Sequence, residues 1–158
     1  MDCSSSFVSL PGFEFYRGDV LGNVKKHGAG LYVSKTLEHV QIDVELPNLV
    51  VVHLISLDIF VISVYRPPSY SREENTLLMQ FLTDFSYGKE LIVLGDFNLP
   101  SIKWPFGDSV EVYITPVDRE FYGCFVECGL SQWVEFGTFV PSDNILDLVL
   151  TSELDRIA

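Results

Sequence analysis

Positive charge is what this chain has least of. Ten Lys and Arg residues face 22 Asp and Glu among 158, a formal net charge of −12 at neutral pH. Lys and Arg supply most non-specific affinity for nucleic acid by neutralising phosphates. A basic footprint, the usual mark of a DNA-binding surface, is therefore missing. Cysteine is scarce as well. Cys3, Cys124 and Cys128 are an odd number without the spacing of a disulfide framework. Cys124 and Cys128 stand one helical turn apart with no second ligand pair, which argues against zinc and for small buried apolar side chains. Reduced thiols fit the cytoplasm or nucleus. The opening Met-Asp-Cys-Ser-Ser-Ser lacks the basic start and apolar core of a secretory signal, so a non-secreted, cytoplasmic or nuclear protein is expected. No run is apolar enough for a membrane span: residues 49–65 are short for one and are interrupted by His53 and Asp58. Their β-branched content reads as two buried strands joined by a tight turn at Ser56–Asp58. Repeats, linkers and low-complexity tracts are absent too, leaving a single domain over 1–158, large enough to bury ~70% of its unfolded surface.

What is present is a run of strand signals with two helices among them. Phe13–Arg17, Gly30–Leu37, Gln41–Leu46, the pair within 49–65, Leu91–Leu94, Gln132–Phe139 and Asn144–Thr151 read as strands, and Gly18–His27 as a loop. Ser71 to Ser86 reads as a helix: Ser71 with Glu74 makes a capping box, and Leu77, Leu78, Phe81, Leu82 and Phe85 build an apolar face. Thr115-Pro116 opens a second helix and Gly129 stops it.

The most informative stretch is Leu-Ile-Val-Leu-Gly-Asp-Phe-Asn, residues 91–98. A buried strand runs into a glycine turn that presents an acid, Asp96, and an amide, Asn98. That pairing suits phosphate-ester chemistry, since the acid can activate water or hold a hard cation and the amide can bond a phosphoryl oxygen. The competing reading is a plain strand-to-turn junction, where Gly, Asp and Asn are common for conformational reasons.

Three other segments bear on that choice. Leu-Gly-Asp-Phe-Asn-Leu-Pro-Ser-Ile-Lys-Trp (94–104) is preceded by Gly-Ala-Gly-Leu-Tyr-Val (28–33) and Val-Tyr-Arg-Pro-Pro-Ser (64–69), and followed by Asp-Asn-Ile-Leu-Asp-Leu-Val-Leu-Thr (143–151). In this order the chain resembles the endonuclease/exonuclease/phosphatase superfamily, most of all the endonuclease domains of LINE-type (non-LTR) retrotransposons, over residues 10 to 152. The resemblance implies an α+β fold, a deoxyribonuclease-I-like four-layered sandwich of two mixed, mainly antiparallel sheets flanked by helices. It implies Mg2+ or Mn2+ as cofactor, DNA as the partner of the full-length element, and a reverse transcriptase fused in the parent protein. By the same resemblance, Asp96 activates or positions the attacking water, Asn98 holds the phosphate, Tyr65 brings a hydroxyl near the scissile bond, and Asp147 orients a catalytic histidine. Arg66 is a further candidate for phosphate contact. Taken alone, Tyr65 reads as a buried strand-end tyrosine and Asp147 as a turn or ladder-edge acid.

Two family parts have no counterpart in these residues: the metal-binding glutamate of a Glu-Thr segment and the histidine of a Ser-Asp-His segment. Glu14 follows the glutamate's place in the family order, and His27, His39 and His53 all precede Asp96. The metal ligands are thus unassigned, and the expectation is a domain missing terminal strands, related to DNA-nicking phosphodiesterases but catalytically incomplete. The alternatives are a phosphatase or lipid phosphodiesterase of the same superfamily, which suits the acidic charge better, or a non-catalytic binding module that keeps the fold.

Overall fold

The computed structural model describes residues 9–19, 28–104 and 114–152. The predicted loop falls mostly on residues outside these. Strands β1 (Phe13–Asp19) and β2 (Gly28–Ser34) form an antiparallel pair. The remaining strands are β3 (His39–Ile42), β4 (Leu49–Leu54), β5 (Ile59–Tyr65), β6 (Glu90–Asp96), β7 (Ser131–Gln132) and β8 (Asp147–Thr151). They build one six-stranded sheet in the order β3-β4-β5-β6-β8-β7, and only β5 and β6 run parallel. Helices α1 (Arg72–Ser86) and α2 (Pro116–Glu127) complete the described fold. The α1 helix makes the β5-to-β6 crossover that a parallel pair requires.

The alternation of strand side chains sorts the core into two layers. Leu49 and Val51, Ile62 and Val64, Leu91 and Val93, and Leu148 and Leu150 face the helices, where Leu78 and Leu82 of α1 and Phe121 and Phe125 of α2 pack against them. Val50, Val52, Ile59 and Val61 face the other way and meet Ala29 and Val33 of the hairpin. The hairpin lies close: a Cβ at Gly18 would stand 2.1 Å from the carbonyl oxygen of Leu49, and Ser63 Oγ donates to Gly30 O at 3.1 Å. Two packed sheets with mixed strands and flanking helices are therefore present, but both described helices lie on one face. Among the described residues the hairpin, the six-stranded sheet and the two helices stack in that order. No helix among them is long and apolar enough to cross a membrane.

The capping box is formed, with Glu74 N donating to Ser71 Oγ at 3.2 Å and Ser71 N to Glu74 Oε2 at 2.7 Å. Three expectations need correction. Leu77 is 53% exposed, and the buried stripe of α1 is Asn75, Leu78 and Leu82 instead. The strand expected over Gln41–Leu46 ends at Ile42. The one expected over Gln132–Phe139 stops at Gln132, whose carboxamide turns back to accept from Val134 N and to donate to Val134 O, removing those groups from any ladder.

Candidate active site

Strand register gathers the candidates. Tyr65 at the end of β5 is the partner of Asp96 at the end of β6, and Asp96 is the partner of Asp147 at the start of β8. Partners on adjacent strands point to the same face, so a tyrosine and two carboxylates stand in one row across three strands. That face is the one the hairpin partly covers, opposite the helices. Asn98 joins them two residues beyond Asp96, its backbone N donating to Asp96 Oδ1 at 3.1 Å and its Nδ2 to Arg66 O at 3.0 Å.

The turn that aims these groups is strained. Asn98 sits in the left-handed region at φ +50°, and Gly95 at φ +140°. A Cβ on Gly95 would come within 1.8 Å of Val64 O, so no other residue fits between β5 and β6 there. Left-handed backbone at a non-glycine residue costs of order 1–3 kcal/mol and persists where the surroundings over-determine it.

Arg66 provides that determination. It is 5% exposed, and its Nε donates to Asn75 Oδ1 at 2.7 Å while Nη1 donates to Phe97 O at 2.9 Å and Asn98 O at 3.0 Å. Its backbone N bonds Asp96 O at 2.8 Å, and its guanidinium lies 5.0 Å over the ring of Phe121 on α2. Burial lowers its pKa, opposed by Asp118, Tyr70 and Asp96, and a guanidinium stays charged regardless. The expected phosphate contact is not what this geometry serves. The guanidinium is committed to carbonyls of the very turn that carries Asp96 and Asn98, so Arg66 is a positioning residue beneath the site.

Three further residues that the sequence reading passed over hold the turn. Asn75 accepts from Arg66; its signal was a polar residue three and seven positions before Leu78 and Leu82 on an apolar stripe. Buried Asp118 accepts from Ser101 N at 2.9 Å and Ser101 Oγ at 2.6 Å, tying the segment beyond Asn98 to α2. Thr138 Oγ1 accepts from Leu146 N at 2.9 Å and Asp147 N at 3.1 Å, fixing the start of β8. Nothing in local sequence marks the last two.

Burial raises the pKa of Asp96 first, and the nearby charge of Asp147 raises it further, against hydrogen bonds from Asn98 and the charge of Arg66. A half-buried carboxylate that repels its neighbour is suited to take a proton or to share a cation. Among the described residues no group of three or more His, Cys, Asp and Glu is placed to hold a metal ion. Asp96 and Asp147 are a pair, and magnesium, which keeps several waters, is commonly held by one or two carboxylates plus substrate phosphates. His39 and His53 pair with Leu54 and Phe60, at the opposite end of the strands from this row. His27 lies outside the described residues.

The family model for an endonuclease-reverse transcriptase matches residues 59–158, well over half of the chain and the whole of the row just described. The chain belongs to the endonuclease-reverse transcriptase family. Among solved structures its fold is similar to the endonuclease domain of TRAS1, a telomere-specific non-LTR retrotransposon, at 19% identity and a TM-score of 0.68, covering 91% of this chain and 67% of that one. It is also similar to the 3′ phosphatase NExo from Neisseria bound to product DNA hairpin, at 15% identity and a TM-score of 0.52, covering 89% of this chain and 67% of that one. No curated protein matches. At such identities the structures speak to fold, which is that of the superfamily the motifs suggested.

Proposed function

We propose that this domain takes part in metal-dependent cleavage of DNA phosphodiester bonds within a retrotransposon protein that also carries a reverse transcriptase. The observation that carries the reading is the row of Tyr65, Asp96 and Asp147 on three neighbouring strand ends, with Asn98 turned onto it by Arg66. Asp96 is the group to hold or accept the proton of the attacking water, since burial raises its pKa. Asn98, fixed at a left-handed turn with Nδ2 on Arg66 O, would offer its remaining amide hydrogen to a phosphoryl oxygen. The Tyr65 hydroxyl would stand near the scissile bond, and Asp147 would complete the acidic end of the row. A bound Mg2+ or Mn2+ would supply charge neutralisation at the phosphate, with Asp96 and Asp147 as its protein ligands. With two carboxylates and no third ligand of that kind among the described residues, its affinity rests in part on the substrate's own oxygens, and turnover by the chain on its own is expected to be slow.

Beside Asp147 the connection from β7 exposes Phe136 at 73% and Val140 at 94%, with Phe139 nearby. Exposed aromatic and apolar side chains stack on or wedge between bases without needing positive charge, which suits an acidic chain.

The test is a Mn2+ titration followed by amide NMR. Signals from Asp96, Asn98 and Asp147 should broaden first, and Asp96→Asn with Asp147→Asn should abolish that broadening. Broadening centred elsewhere, or unchanged in the double variant, refutes the site. Conversion of supercoiled plasmid to open circles, sensitive to chelator and lost in Asp96→Asn, tests the activity. A second reading, phosphomonoesterase action, is favoured by the net charge alone. Release of phosphate from a 3′-phosphorylated oligonucleotide without nicking of plasmid would select it.

A further inference from the structure

Arg66 holds the Asp96 and Asn98 turn from beneath; the Tyr65 end of the row is held by the turn that precedes β4. The ladder between β4 and β5 ends at the Leu49–Val64 pair. One residue before Leu49, Asn48 has left the extended conformation, at φ +59°, yet its carbonyl accepts from Tyr65 N at 3.0 Å. Asparagine is among the few residues besides glycine that take up left-handed backbone readily. Asn48 is buried, and its Nδ2 donates to the Tyr70 hydroxyl at 3.1 Å. That hydroxyl donates in turn to Pro47 O at 3.4 Å, and burial, which raises the Tyr70 pKa against the bond from Asn48, keeps the proton on it. Among the described residues no donor meets the buried Asn48 Oδ1, so the side chain acts through Nδ2.

We propose that Asn48 and Tyr70 are positioning residues for Tyr65, fixing the end of β5 through the hydrogen bond between Asn48 Nδ2 and the Tyr70 hydroxyl. The role rests on the reading of Tyr65 as part of the active row. Tyr65 is the last residue of β5, and the chain leaves the strand at once through Arg66 into Pro67-Pro68. A strand end beyond its last ladder pair frays unless its backbone groups find partners. On the β4 side that partner is the Asn48 carbonyl. Left-handed backbone at a non-glycine residue persists where its surroundings fix it, and the bond to Tyr70 is how the Asn48 side chain is fixed.

Tyr70 joins this hold to the one beneath Asp96. Its carbonyl accepts from Asn75 Nδ2 at 3.4 Å, while Asn75 Oδ1 accepts from Arg66 Nε at 2.7 Å. Arg66 then donates to the carbonyls of Phe97 and Asn98. One line of contacts therefore runs from Asn48 through Tyr70, Asn75 and Arg66 to Asn98. Tyr65 is tied to it from the β4 side by Asn48, and its neighbour Arg66 from the β6 side by Asp96 O at 2.8 Å. Loosening Asn48 or Tyr70 would shift Tyr65 relative to Asp96 while leaving every group of the row in the chain.

The experiment uses the full chain and amide hydrogen exchange followed by NMR. Asn48→Gly suits φ +59° and keeps the carbonyl but drops the carboxamide, and Tyr70→Phe drops only the hydroxyl. The Tyr65 amide should exchange about tenfold faster in each variant than in the wild type. In the double variant it should be no more than about twofold faster than in the quicker single one, because both changes remove one bond. The amides of Val61 and Ile62 should keep their wild-type rates. A wild-type rate at Tyr65 in Tyr70→Phe, effects that multiply in the double variant, or equal acceleration along the whole of β5 would each overturn the proposal. Plasmid nicking reads the positioning itself: Tyr70→Phe should slow it about tenfold in the wild type and less than about twofold in a Tyr65→Phe background. Equal slowing in both backgrounds would show that Tyr70 acts on the fold and not through Tyr65, and would overturn the role. The exchange rates do not depend on nuclease activity, so a row that binds no Mn2+ would sink the proposed activity while the hold on Tyr65 is decided separately.

Discussion

At the scale of single residues the site is held at a cost to stability. The folded-state pKa of Asp96 lies above its unfolded value, so the native state binds the proton more tightly. Stability from this group is full below the ordinary carboxylate range and is lost as pH rises through the raised value. Asp96→Asn removes the charge while leaving an oxygen to accept from Asn98 N. We expect a higher melting temperature than wild type at pH 7 and none at pH 3, with nicking reduced ~100-fold or more at pH 7. A variant that melts lower at pH 7 would show that the carboxylate is stabilised, not strained. In the same logic, nicking by the wild type should fall with acid at a pH above that of an ordinary Asp. Arg66 makes the complementary case. Arg66→Met would leave Asn75 Oδ1 and the carbonyls of Phe97 and Asn98 without donors beneath the turn, at about 3–5 kcal/mol. Its denaturant midpoint should drop accordingly; a loss of activity with the midpoint unchanged would instead return Arg66 to the role of phosphate contact that its sequence context suggested.

Elements were legible in proportion to how local their causes are. The capping box of α1 and the proline start of α2 depend on residues a few positions apart, and both stand as read. The Gly-Asp junction was legible as a turn, but the reason that it must be glycine, the approach of Val64 O from the parallel strand, is a tertiary fact. The ends of β3 and β7 were missed because alternation continues in the sequence after pairing has stopped, and a side chain, Gln132, decides the stopping. Leu77 was missed because it flanks a stripe centred on Leu78 and Leu82, and spacing alone does not show which side faces the sheet. Likewise the row of Tyr65, Asp96 and Asp147 could be expected only through family resemblance, since register across three strands is invisible locally. Two measurements follow. Leu82→Ala should lose about 2–5 kcal/mol in chemical denaturation and Leu77→Ala less than ~1 kcal/mol, reversing their equal weight in the helical pattern. Gly95→Ala should lose more than ~3 kcal/mol; a smaller loss would mean that β5 and β6 can part at the site without disturbing the core.

For the whole molecule the charge is the governing fact. Ten basic residues are available against 22 acids, and one of the ten, Arg66, is buried. Another, Lys103, donates to Asn144 Oδ1 at 2.6 Å beside the loop that precedes β8. The salt dependence of DNA binding counts phosphates neutralised, with a slope of log K against log salt of about −0.9 for each. With ten basic residues in the chain and Arg66 buried, binding should neutralise only about two or three phosphates. Binding of a duplex oligonucleotide, measured by anisotropy at physiological salt, should therefore fall at or weaker than the ~10⁻⁴ M end of non-specific affinities. Its slope should be no steeper than about −3, and Phe136→Ala should weaken it several-fold, because stacking replaces charge as the source of contact. Addition of Mg2+ should strengthen binding, not merely screen it, since an ion held by Asp96 and Asp147 would offset their repulsion of a phosphate. A slope near −6 with micromolar affinity would contradict this picture. It would mean that the acidic total conceals a cationic face.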